Sequence, residues 1–409
     1  MNTNVYDILT RRGILAQATH PEKIKQLLGE GPVTFYIGFD PTADSLHIGH
    51  FVQIMVMSHM QRAGHRPIAV MGGGTAKIGD PSGRSDMRNM LTNEDINRNV
   101  EAIKKQFSRL IDFSGLGAVM VNNSDWLDDL NYVRFIRDIG IHFSVNRMLA
   151  ADCFRTRYER GLNFLEFNYM LMQAYDFYRL YKDYNCVLQV GGDDQWSNII
   201  AGIELIRRKE GVEAYGLTFN LLTTSEGVKM GKTEKGALWL DPEKTSPYEF
   251  YQYLRNVQDT DVINAVRMLT FISLEEIEHM ASLEGEQLNS VKERLAYEVT
   301  KIVHGKEEAD KAHKAARDIF MNGGISDDMP VYELSASALP INILDLCMIS
   351  GLVPSKTEAR RLIAQSGLFI DDSKADDVFR EIKLSDFGDN RTIVLRKGKK
   401  TYTSIRLKN

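Results

Sequence analysis

The most constraining feature of this chain is a pair of short apolar runs on either side of one amphipathic segment. The run VTFYIGF, residues 33 to 39, has the length and composition of a buried strand, and RPIAVMGGG, residues 66 to 74, has the same character. Between them, from Leu46 to Ala63, apolar residues recur at helical spacing, and Gly64 stands at the expected C-terminal stop. Strand, helix and strand in this order predict a βαβ unit and therefore an α/β fold with a parallel sheet.

A third apolar run, CVLQVGG at residues 186 to 192, also ends in glycines and precedes a helical pattern. All three runs are therefore predicted strands that end in a glycine-bearing turn. Ligands of parallel α/β sheets bind beyond the carboxyl ends of the strands. We expect the polar residues of these turns to converge on one cleft.

The chain is long enough for two or three domains, since it has 409 residues. The pattern from Ser246 to about Phe320 is helical, and the stretch from 321 to 340 is rich in Gly, Pro, Ser and Asp, which favours a domain boundary. The last piece carries the helical segment TEARRLIAQSG and ends in RTIVLRKGKKTYTSIRLKN, which holds seven Lys or Arg and no acidic residue.

Composition excludes several classes of protein. The formal net charge of −5 argues against general coating of nucleic acid, so any RNA contact must come from a local patch. The three widely spaced cysteines, Cys153, Cys186 and Cys347, fit a reducing compartment and neither a disulfide framework nor a thiolate zinc site. No signal peptide and no long apolar window is apparent, so we expect a cytoplasmic protein.

The stretch GFDPTADSLHIGH, residues 38 to 50, places polar groups where a strand meets a helix. Asp44 and Ser45 are candidate helix caps, while His47 and His50 lie three residues apart on one face. A helix N-terminus with free N–H groups attracts anions, so these imidazoles and Thr42 suggest phosphate contacts. A capped helix with surface histidines is the alternative. A zinc site is disfavoured because HxxH lacks the glutamate of HExxH.

The segment EGVKMGKTEKG, residues 226 to 236 and named the lysine loop below, resembles a phosphate-binding P-loop only superficially. The P-loop pattern requires four residues between its glycines, and Gly227 and Gly231 enclose three. Lys229, Lys232 and Thr233 still suggest a flexible loop that closes over a polyphosphate. A solvated surface loop is the alternative.

The helical segment LNFLEFNYMLMQAYDFYRLYKDY, residues 162 to 184, is apolar almost all round and should be buried. Tyr169, Gln173 and Asp176 nevertheless step by four and three residues, which places them on one face. A buried carboxylate requires partners. Both an internal polar network and a pocket for a small polar ligand satisfy this requirement.

Two further polar stretches follow predicted strands. GGDDQWSN, residues 191 to 198, places vicinal acceptors at a strand end, where acidic residues hold ribose in dinucleotide sites. GGGTAKIGDPSGRSDMR spans residues 72 to 88. Together with the stretches above they indicate a cleft for a nucleoside triphosphate and a small amphipathic partner. The polar residues that they add are Asp193, Asp194, Gln195, Asp80, Arg84 and Arg88.

Read together, these motifs resemble those of a known family. HIGH at 47 to 50 and KMGKT at 229 to 233, a variant of KMSKS, are similar to the two signature motifs of class I aminoacyl-tRNA synthetases. With YIGFDPTADSLHIGH, NYMLMQAYDF, GGDDQW and LWLDPEKTSPYEFYQ, the resemblance narrows to the bacterial-type tyrosyl-tRNA synthetases. The C-terminal PSKTEARRLIAQSG resembles an RNA-binding module shared with a small-subunit ribosomal protein.

This resemblance implies a Rossmann-like catalytic domain over 1–220, a helical anticodon-side domain with the lysine loop over 221–325, a linker over 326–340 and a small α+β RNA-binding module over 341–409. It implies a ligase that forms tyrosyl-adenylate from L-tyrosine and ATP, releases pyrophosphate and transfers tyrosine to the terminal adenosine of its tRNA. Mg²⁺ would accompany ATP, without a protein-bound metal or organic cofactor. The family also implies a homodimer, and the apolar run from 130 to 150 is compatible with either an interface or buried core.

The resemblance also assigns residues to roles. Tyr36 and Asp176 would bind the substrate phenol, Tyr169, Gln173 and Asp80 its ammonium group, and Gln195 its carboxylate region. ATP would contact Gly38, Asp40, His47, Gly49, His50, Gly192, Asp194 and Lys232. The catalytic groups that steady the polyphosphate would be Thr42, His47, His50, Lys229, Lys232, Thr233, Arg84 and Arg88.

Three positions depart from the family pattern. Ile37 stands where many relatives have a ribose-contacting cysteine, Asp193 replaces a serine, and Arg84 replaces a lysine. None of these changes removes a group that the chemistry requires. The substrate carboxylate is already a nucleophile, so the rate must come from alignment with the α-phosphorus and from cations that stabilise the leaving pyrophosphate.

Four alternatives compete with this interpretation. A tryptophanyl-tRNA synthetase shares the fold and the motifs, but an indole has no hydroxyl group for Tyr36 and Asp176. Another nucleotidyltransferase would not need the basic C-terminal module. A non-catalytic RNA-binding paralogue would have lost pocket residues, which are intact here. A P-loop kinase fails on the glycine spacing.

Overall fold

The structure, a computed structural model, describes residues 4–82, 91–114, 117–233, 236–322, 331–371, 373–388, 391–398 and 401–408. Of residues 156, 232, 233 and 318–322 it describes the backbone only. The helices are α1 Val5–Arg11, α2 Pro21–Glu30, α3 Ile48–Arg62, α4 Asn93–Leu110, α5 Ser124–Leu127, α6 Tyr132–Asp138, α7 Val145–Leu149, α8 Asp152–Arg160, α9 Phe164–Tyr184, α10 Trp196–Glu210, α11 Pro247–Arg255, α12 Asp259–Leu269, α13 Leu274–Met280, α14 Leu288–His304, α15 Lys306–Asn322, α16 Ile343–Ile349 and α17 Lys356–Ala364. The strands are β1 Leu15–Ala18, β2 Thr34–Phe39, β3 Arg66–Met71, β4 Val119–Asn122, β5 Leu188–Gly192, β6 Tyr215–Phe219, β7 Lys232–Thr233, β8 Gly236–Ala237, β9 Val331–Ser335, β10 Ile341–Asn342, β11 Leu368–Ile370, β12 Ser373–Lys374, β13 Glu381–Ile382, β14 Thr392–Lys397 and β15 Thr401–Lys408.

The main sheet confirms the predicted α/β fold. Within the described residues its strand order is β1-β6-β5-β2-β3-β4, and neighbours run parallel except that β1 is antiparallel to β6. From β2 the chain proceeds outwards through β3 to β4, and the later strands β5 and β6 lie on the other side of β2. The strand order therefore reverses between β2 and β5, which is where ligands of such sheets bind.

Register places one predicted site residue at this reversal. Tyr36 on β2 is the partner of Ile68 on β3 and of Gln189 on β5. Its side chain is 2% exposed. The centre of the sheet therefore carries a buried phenol directly below the loops at the carboxyl ends of the strands.

Helix α3 begins two residues later than the pattern predicts, at Ile48 rather than Leu46. The reason is tertiary: Leu46 and Ile48 form backbone hydrogen bonds with the segment 238–240, which holds this stretch extended. The prediction that Asp44 or Ser45 caps the helix is therefore wrong. The cap is His47, while Asp44 pairs with Lys244 at 2.7 Å.

The chain divides into two compact units. One comprises residues 1–246 and 253–303, and the other comprises residues 247–252 and 304–409. In the second unit, β12, β11, β14, β15 and β9 form one sheet, whose inner face packs on α16 and α17 through buried residues such as Ile343, Leu346 and Ile393.

The segment predicted as a linker, 326–340, contains structure. Strand β9 pairs in parallel with β15 over five residue pairs, from Val331 with Ser404 to Ser335 with Lys408. The prediction that the C-terminal module begins at 341 is therefore wrong, because its sheet already includes β9. A short edge strand between turn-forming residues leaves a weak signal in sequence, since its partner lies about seventy positions away.

The three cysteines are all buried and unbridged. Among the helices that the structure describes, none has the length and apolarity needed to cross a membrane.

Candidate active site

A cavity of about 310 Å³ opens at the carboxyl ends of the strands, at the reversal point between β2 and β5. Most of the predicted site residues line it: Tyr36, Gly38, Asp40, Thr42, His47, Gly49, His50, Asp80, Tyr169, Gln173, Asp176, Gly192, Asp194, Gln195 and Lys229. Arg84 and Arg88 lie outside the described residues, and of Lys232 and Thr233 only the backbone is described. The structure therefore brings residues from five separate stretches of the sequence into one cleft.

A larger cavity of about 720 Å³ lies in the same unit, next to the amino ends of β3 and β4. Arg62 and Arg109 line it, and each occupies the last turn of a helix, where a cation complements the helix dipole. Arg62 also covers the ring of Phe271 at 3.6 Å. These arginines therefore have structural roles, and the smaller cavity is the candidate active site.

The floor of the cavity is formed by Tyr36 and Asp176. The hydroxyl group of Tyr36 is buried and has no hydrogen-bond partner among the described residues. Burial, and next the charge of Asp176, raise its pKa well above the usual value for a phenol. A buried hydroxyl without a partner costs about 1–3 kcal/mol, so this group is poised to bind a ligand that supplies one.

The carboxylate of Asp176 is fixed by two donors. Asn123 Nδ2 donates to one oxygen at 2.9 Å, and Trp126 Nε1 donates to the other at 2.7 Å. Burial nevertheless raises the pKa of Asp176 to about 7, because the charged form loses its hydration and the two hydrogen bonds only partly compensate. The group therefore titrates near neutral pH.

A chain of hydrogen bonds links this floor to the cavity wall. Tyr169 donates its hydroxyl proton to Asp40 Oδ2 at 3.1 Å, and Thr75 Oγ1 donates to Asp40 Oδ1 at 2.9 Å. Asn123 Nδ2 in turn donates to Thr75 Oγ1 at 3.0 Å. Asp40, predicted as an ATP contact, therefore orients Tyr169 at the cavity wall.

Three glutamines present acceptors without donors. The Oε1 atoms of Gln53, Gln173 and Gln189 are buried and lack a partner among the described residues, and all three side chains line the cavity. An ammonium group is a strong donor that matches such oxygens. The position of the Gln173 oxygen is compatible with the predicted ammonium contact. Gln53 and Gln189 were not among the residues that the sequence analysis predicted.

Three aspartates, Asp80, Asp193 and Asp194, differ in their position relative to the cavity. Asp80 accepts from Gln195 Nε2 at 2.7 Å and from the Ser82 N–H at 2.9 Å. Asp194 lines the cavity, and burial raises its pKa. Asp193 accepts from Gln17 and Thr218 and is absent from the cavity lining among the described residues, and its charge contributes to the raised pKa of Asp194.

His47 and His50 stack at the start of α3, with ring centroids 3.9 Å apart. His47 Nδ1 accepts from the Gly49 N–H, and His50 Nδ1 accepts from the His47 N–H. Each neutral ring therefore carries its proton on Nε2. Burial lowers the pKa of His47, so that ring acts as a neutral donor. A Cβ atom at position 49 would lie 2.9 Å from the His47 ring, so this arrangement requires glycine.

The expectation of free N–H groups at this helix start is wrong. The Ile48 N–H donates to the Leu238 carbonyl at 3.0 Å, and the Gly49 N–H is taken by His47. The His50 N–H donates to the His47 carbonyl at 2.8 Å. Anion contacts must therefore come from side chains, namely the imidazoles and the lysines.

The described backbone of the lysine loop includes the short strand β7, and β8 begins at the last residue of the loop. Strands β7 and β8 pair in antiparallel fashion, with Lys232 opposite Ala237. The exposed side chain of Lys229 reaches the cavity and lowers the pKa of His47 as a secondary cause after burial. The loop thus lies against the start of α3.

Asn123 and Trp126 are the functional residues that the sequence analysis missed most clearly. Both follow β4 in the stretch NNSDW, at the same edge of the sheet as the other site loops. Polar residues after a fourth strand were the available signal. The strand itself, VMVN, is short and only partly buried, which weakens its pattern.

Family models cover most of the chain. One described as "tRNA synthetases class I (W and Y)" matches residues 28–321, and one described as "Tyrosine--tRNA ligase SYY-like C-terminal domain" matches residues 307–405. The chain is 59% identical over 407 residues to a tyrosine–tRNA ligase from Acetivibrio thermocellus, covering 99% of this chain and 100% of the relative. It is 59% identical over 405 residues to one from Caldanaerobacter subterraneus subsp. tengcongensis, with coverage of 99% and 100%.

Solved structures of tyrosyl-tRNA synthetases are also similar to this chain. A C-terminally truncated mitochondrial tyrosyl-tRNA synthetase from Aspergillus nidulans superposes with a TM-score of 0.69 at 28% identity, covering 78% of this chain and 95% of that one. A tyrosyl-tRNA synthetase from Archaeoglobus fulgidus complexed with L-tyrosine superposes with a TM-score of 0.58 at 19% identity, covering 76% and 99%. The latter likeness is one of fold.

Proposed function

Because this chain belongs to the tyrosine–tRNA ligases, a family of class I tRNA synthetases, we propose that its cavity binds tyrosine and ATP side by side through the residues described above. The chain is a ligase that joins L-tyrosine to ATP as tyrosyl-adenylate, releases pyrophosphate and transfers tyrosine to its tRNA. The residue roles that follow are the proposal.

One observation carries the substrate assignment: the unpartnered hydroxyl of Tyr36 and the ionisable carboxylate of Asp176 share the cavity floor. A tyrosine phenol fits both groups, since it accepts from Tyr36 and donates to Asp176. The amino end of the substrate then lies near Tyr169, Gln173 and Asp80. Phenylalanine leaves the Tyr36 hydroxyl without a partner and offers no donor to Asp176, which penalises it strongly.

Adenylate formation requires alignment rather than a general base. An oxygen of the tyrosine carboxylate attacks the α-phosphorus of ATP while the bond to the pyrophosphate oxygen breaks. Negative charge grows on the leaving pyrophosphate, where His47, His50 and the lysine loop supply donors and cations. We propose that Asp194, which lines the same cavity, holds the ribose. We propose Thr42, Thr233, Arg84 and Arg88 as further polyphosphate contacts.

Three further elements belong to this proposal. Mg²⁺ arrives with the ATP phosphates, and among the described residues no cluster of three or more His, Cys, Asp or Glu is arranged to hold a metal. The exposed apolar side chains of Tyr132, Val133 and Ile141, exposed by 59%, 74% and 75%, support a homodimer through this face. The three buried cysteines, which form no disulfide with one another, fit the proposed cytoplasmic location.

We also propose that the C-terminal module binds tRNA. Phe379 in this module is 80% exposed, and such a ring serves as a stacking platform for an unpaired base. Phe379→Ala should lower tRNA charging and leave pyrophosphate exchange unchanged. An equal loss of activity in tRNA charging and in pyrophosphate exchange would refute the proposal that this module serves tRNA binding alone.

The test of the amino-acid site is ATP–pyrophosphate exchange with each amino acid in turn, on the wild type and on Tyr36→Phe. The wild type should respond to tyrosine alone. Tyr36→Phe removes a hydroxyl that has no partner in the free protein, so stability should be kept or should rise by about 1 kcal/mol. The tyrosine KM should rise by about tenfold or more, and discrimination against phenylalanine should fall.

Tyr178→Phe is the matched control, because its hydroxyl donates to Glu210 at 2.8 Å and its side chain is absent from the described cavity lining. Its exchange kinetics should match the wild type. An unchanged tyrosine KM in Tyr36→Phe would refute the assignment of the cavity floor. Exchange with a different amino acid would refute the proposed substrate.

A further inference from the structure

The lysine loop is fastened to helix α11 by a side-chain hydrogen bond. The backbone N–H of Gly231 donates to the hydroxyl oxygen of Tyr253 at 2.7 Å. Gly231 is buried, Tyr253 is half-buried, and burial raises the pKa of the Tyr253 phenol. The phenol is therefore neutral at physiological pH and serves here as the acceptor. This bond holds the backbone directly before Lys232.

Gly231 is confined on its other sides as well. Its carbonyl accepts from the Leu238 N–H at 2.8 Å, and its φ is +92°, in the region that favours glycine. A Cβ atom at this position would lie 2.1 Å from Ile48 Cγ2. Gly231 therefore rests directly on the first residue of α3, next to His47. No larger residue fits without movement of the loop.

Several other hydrogen bonds around the described part of the loop join backbone groups only, although Ser225 and Trp239 also donate their N–H groups to the side chains of Asp261 and Thr245. On the exit side, the Leu240 N–H donates to the Leu46 carbonyl at 2.9 Å, and the Ile48 N–H donates to the Leu238 carbonyl at 3.0 Å. On the entry side, the Met230 N–H donates to the Leu222 carbonyl at 2.9 Å. Side-chain substitution leaves those bonds possible, whereas the Tyr253 bond depends on one hydroxyl group. A substitution of Tyr253 can therefore test the docking of the loop, because it removes this hydrogen bond and leaves the backbone bonds possible.

We infer that Tyr253 is a positioning residue for adenylate formation: its hydroxyl holds Gly231, and through it Lys232, in the docked arrangement in which Lys229 lines the cavity. The inference rests on the proposed role of Lys232 at the polyphosphate. Without the hydroxyl, a buried N–H loses its acceptor and the docked loop becomes less populated. Tyrosine binding uses the cavity floor and should be unaffected.

The experiment compares wild type, Tyr253→Phe, Lys232→Ala and the double variant in single-turnover formation of tyrosyl-adenylate. Equilibrium binding of L-tyrosine and thermal unfolding are measured in parallel. Tyr253→Phe should slow adenylate formation about tenfold, with the tyrosine Kd within about twofold of wild type. Tyr215→Phe is the matched control, because its hydroxyl donates to Glu213 at 3.0 Å, at the amino end of β6.

The double variant separates positioning from general structural support. If Tyr253 acts through Lys232, removing the hydroxyl should cost nothing further once Lys232 is alanine. The same tenfold loss in both backgrounds would overturn the inference, as would an unchanged or faster rate in Tyr253→Phe alone. A wild-type rate in Lys232→Ala alone would refute the proposed role of Lys232, and the inference with it.

Discussion

The strongest prediction concerns the pH dependence of tyrosine binding. Asp176 has a pKa of about 7 in the free protein, raised chiefly by burial. Both carboxylate oxygens already accept N–H donors, from Asn123 and Trp126, and the ionised form retains lone pairs for a phenol O–H. A bound tyrosine therefore favours the ionised form, so binding should strengthen as pH rises through about 7 and level off about one pH unit above that value.

The magnitude follows from the fraction of Asp176 that is ionised. That fraction is about nine-tenths at pH 8 and about one-tenth at pH 6, so the tyrosine Kd should rise about tenfold between these values. The ligand does not contribute, because its carboxyl, ammonium and phenol groups titrate outside this range. ATP is omitted, so that the titration reports the binding of tyrosine alone.

The assay is a fluorescence titration with L-tyrosine over this pH range, since Trp126 contacts the titrating carboxylate at 2.7 Å. Equilibrium dialysis provides a second measurement of the same Kd. Asp176→Asn should bind weakly with a flat pH profile. Trp126→Phe, measured by dialysis, removes a donor that lowers the Asp176 pKa, so its inflection should move to higher pH. A Kd that is constant across this range, or that rises with pH, would refute the reasoning.

Three shorter predictions follow from other parts of the first unit. Gly231→Ala should slow adenylate formation about tenfold or more, because the new Cβ atom would clash with Ile48. Gly227→Ala is the control: Gly227 also has a positive φ, +77°, but has open space around it, so the effect should be smaller. Equal rates in the two variants would contradict the packing argument. Arg12→Met should lower the free energy of unfolding by about 2–3 kcal/mol in urea, because a buried guanidinium that donates to three backbone carbonyls is lost; an unchanged midpoint would contradict this. Val133→Glu should convert a dimer into monomers in sedimentation, and an unchanged mass would exclude this face.

Local sequence was sufficient for the frame of the sheet and for part of the cavity lining, but not for Gln53, Asn123 and Gln189. The strands β2, β3 and β5 are apolar runs that end in glycine turns, and a parallel sheet places such turns at one edge. Tyr169, Gln173 and Asp176 were placed on one face by helical periodicity alone. These are inferences from neighbours in the chain, which is why they needed no tertiary information.

Partners that are distant in sequence could not be predicted in this way. His47 caps α3 because backbone hydrogen bonds to the segment 238–240 hold residues 46 to 48 extended. No local sequence pattern reveals hydrogen bonds to a segment so far along the chain. Strand β9 likewise is a strand because it pairs with β15. The mistaken linker and the mistaken cap share this cause, since a hydrogen-bond partner elsewhere in the chain decides the local conformation.

The amino-acid sequence by itself indicated many of the side chains that meet in the cavity, because glycine turns after parallel strands and helical periodicity bring them to one edge of a sheet. Only the tertiary structure decided their chemical state. Burial moves the pKa of Asp176 towards neutrality, two donors from beyond β4 orient it, and a tyrosine on α11 anchors the lysine loop. These properties depend on solvent exclusion and on distances between remote segments, which exist only once the chain has folded.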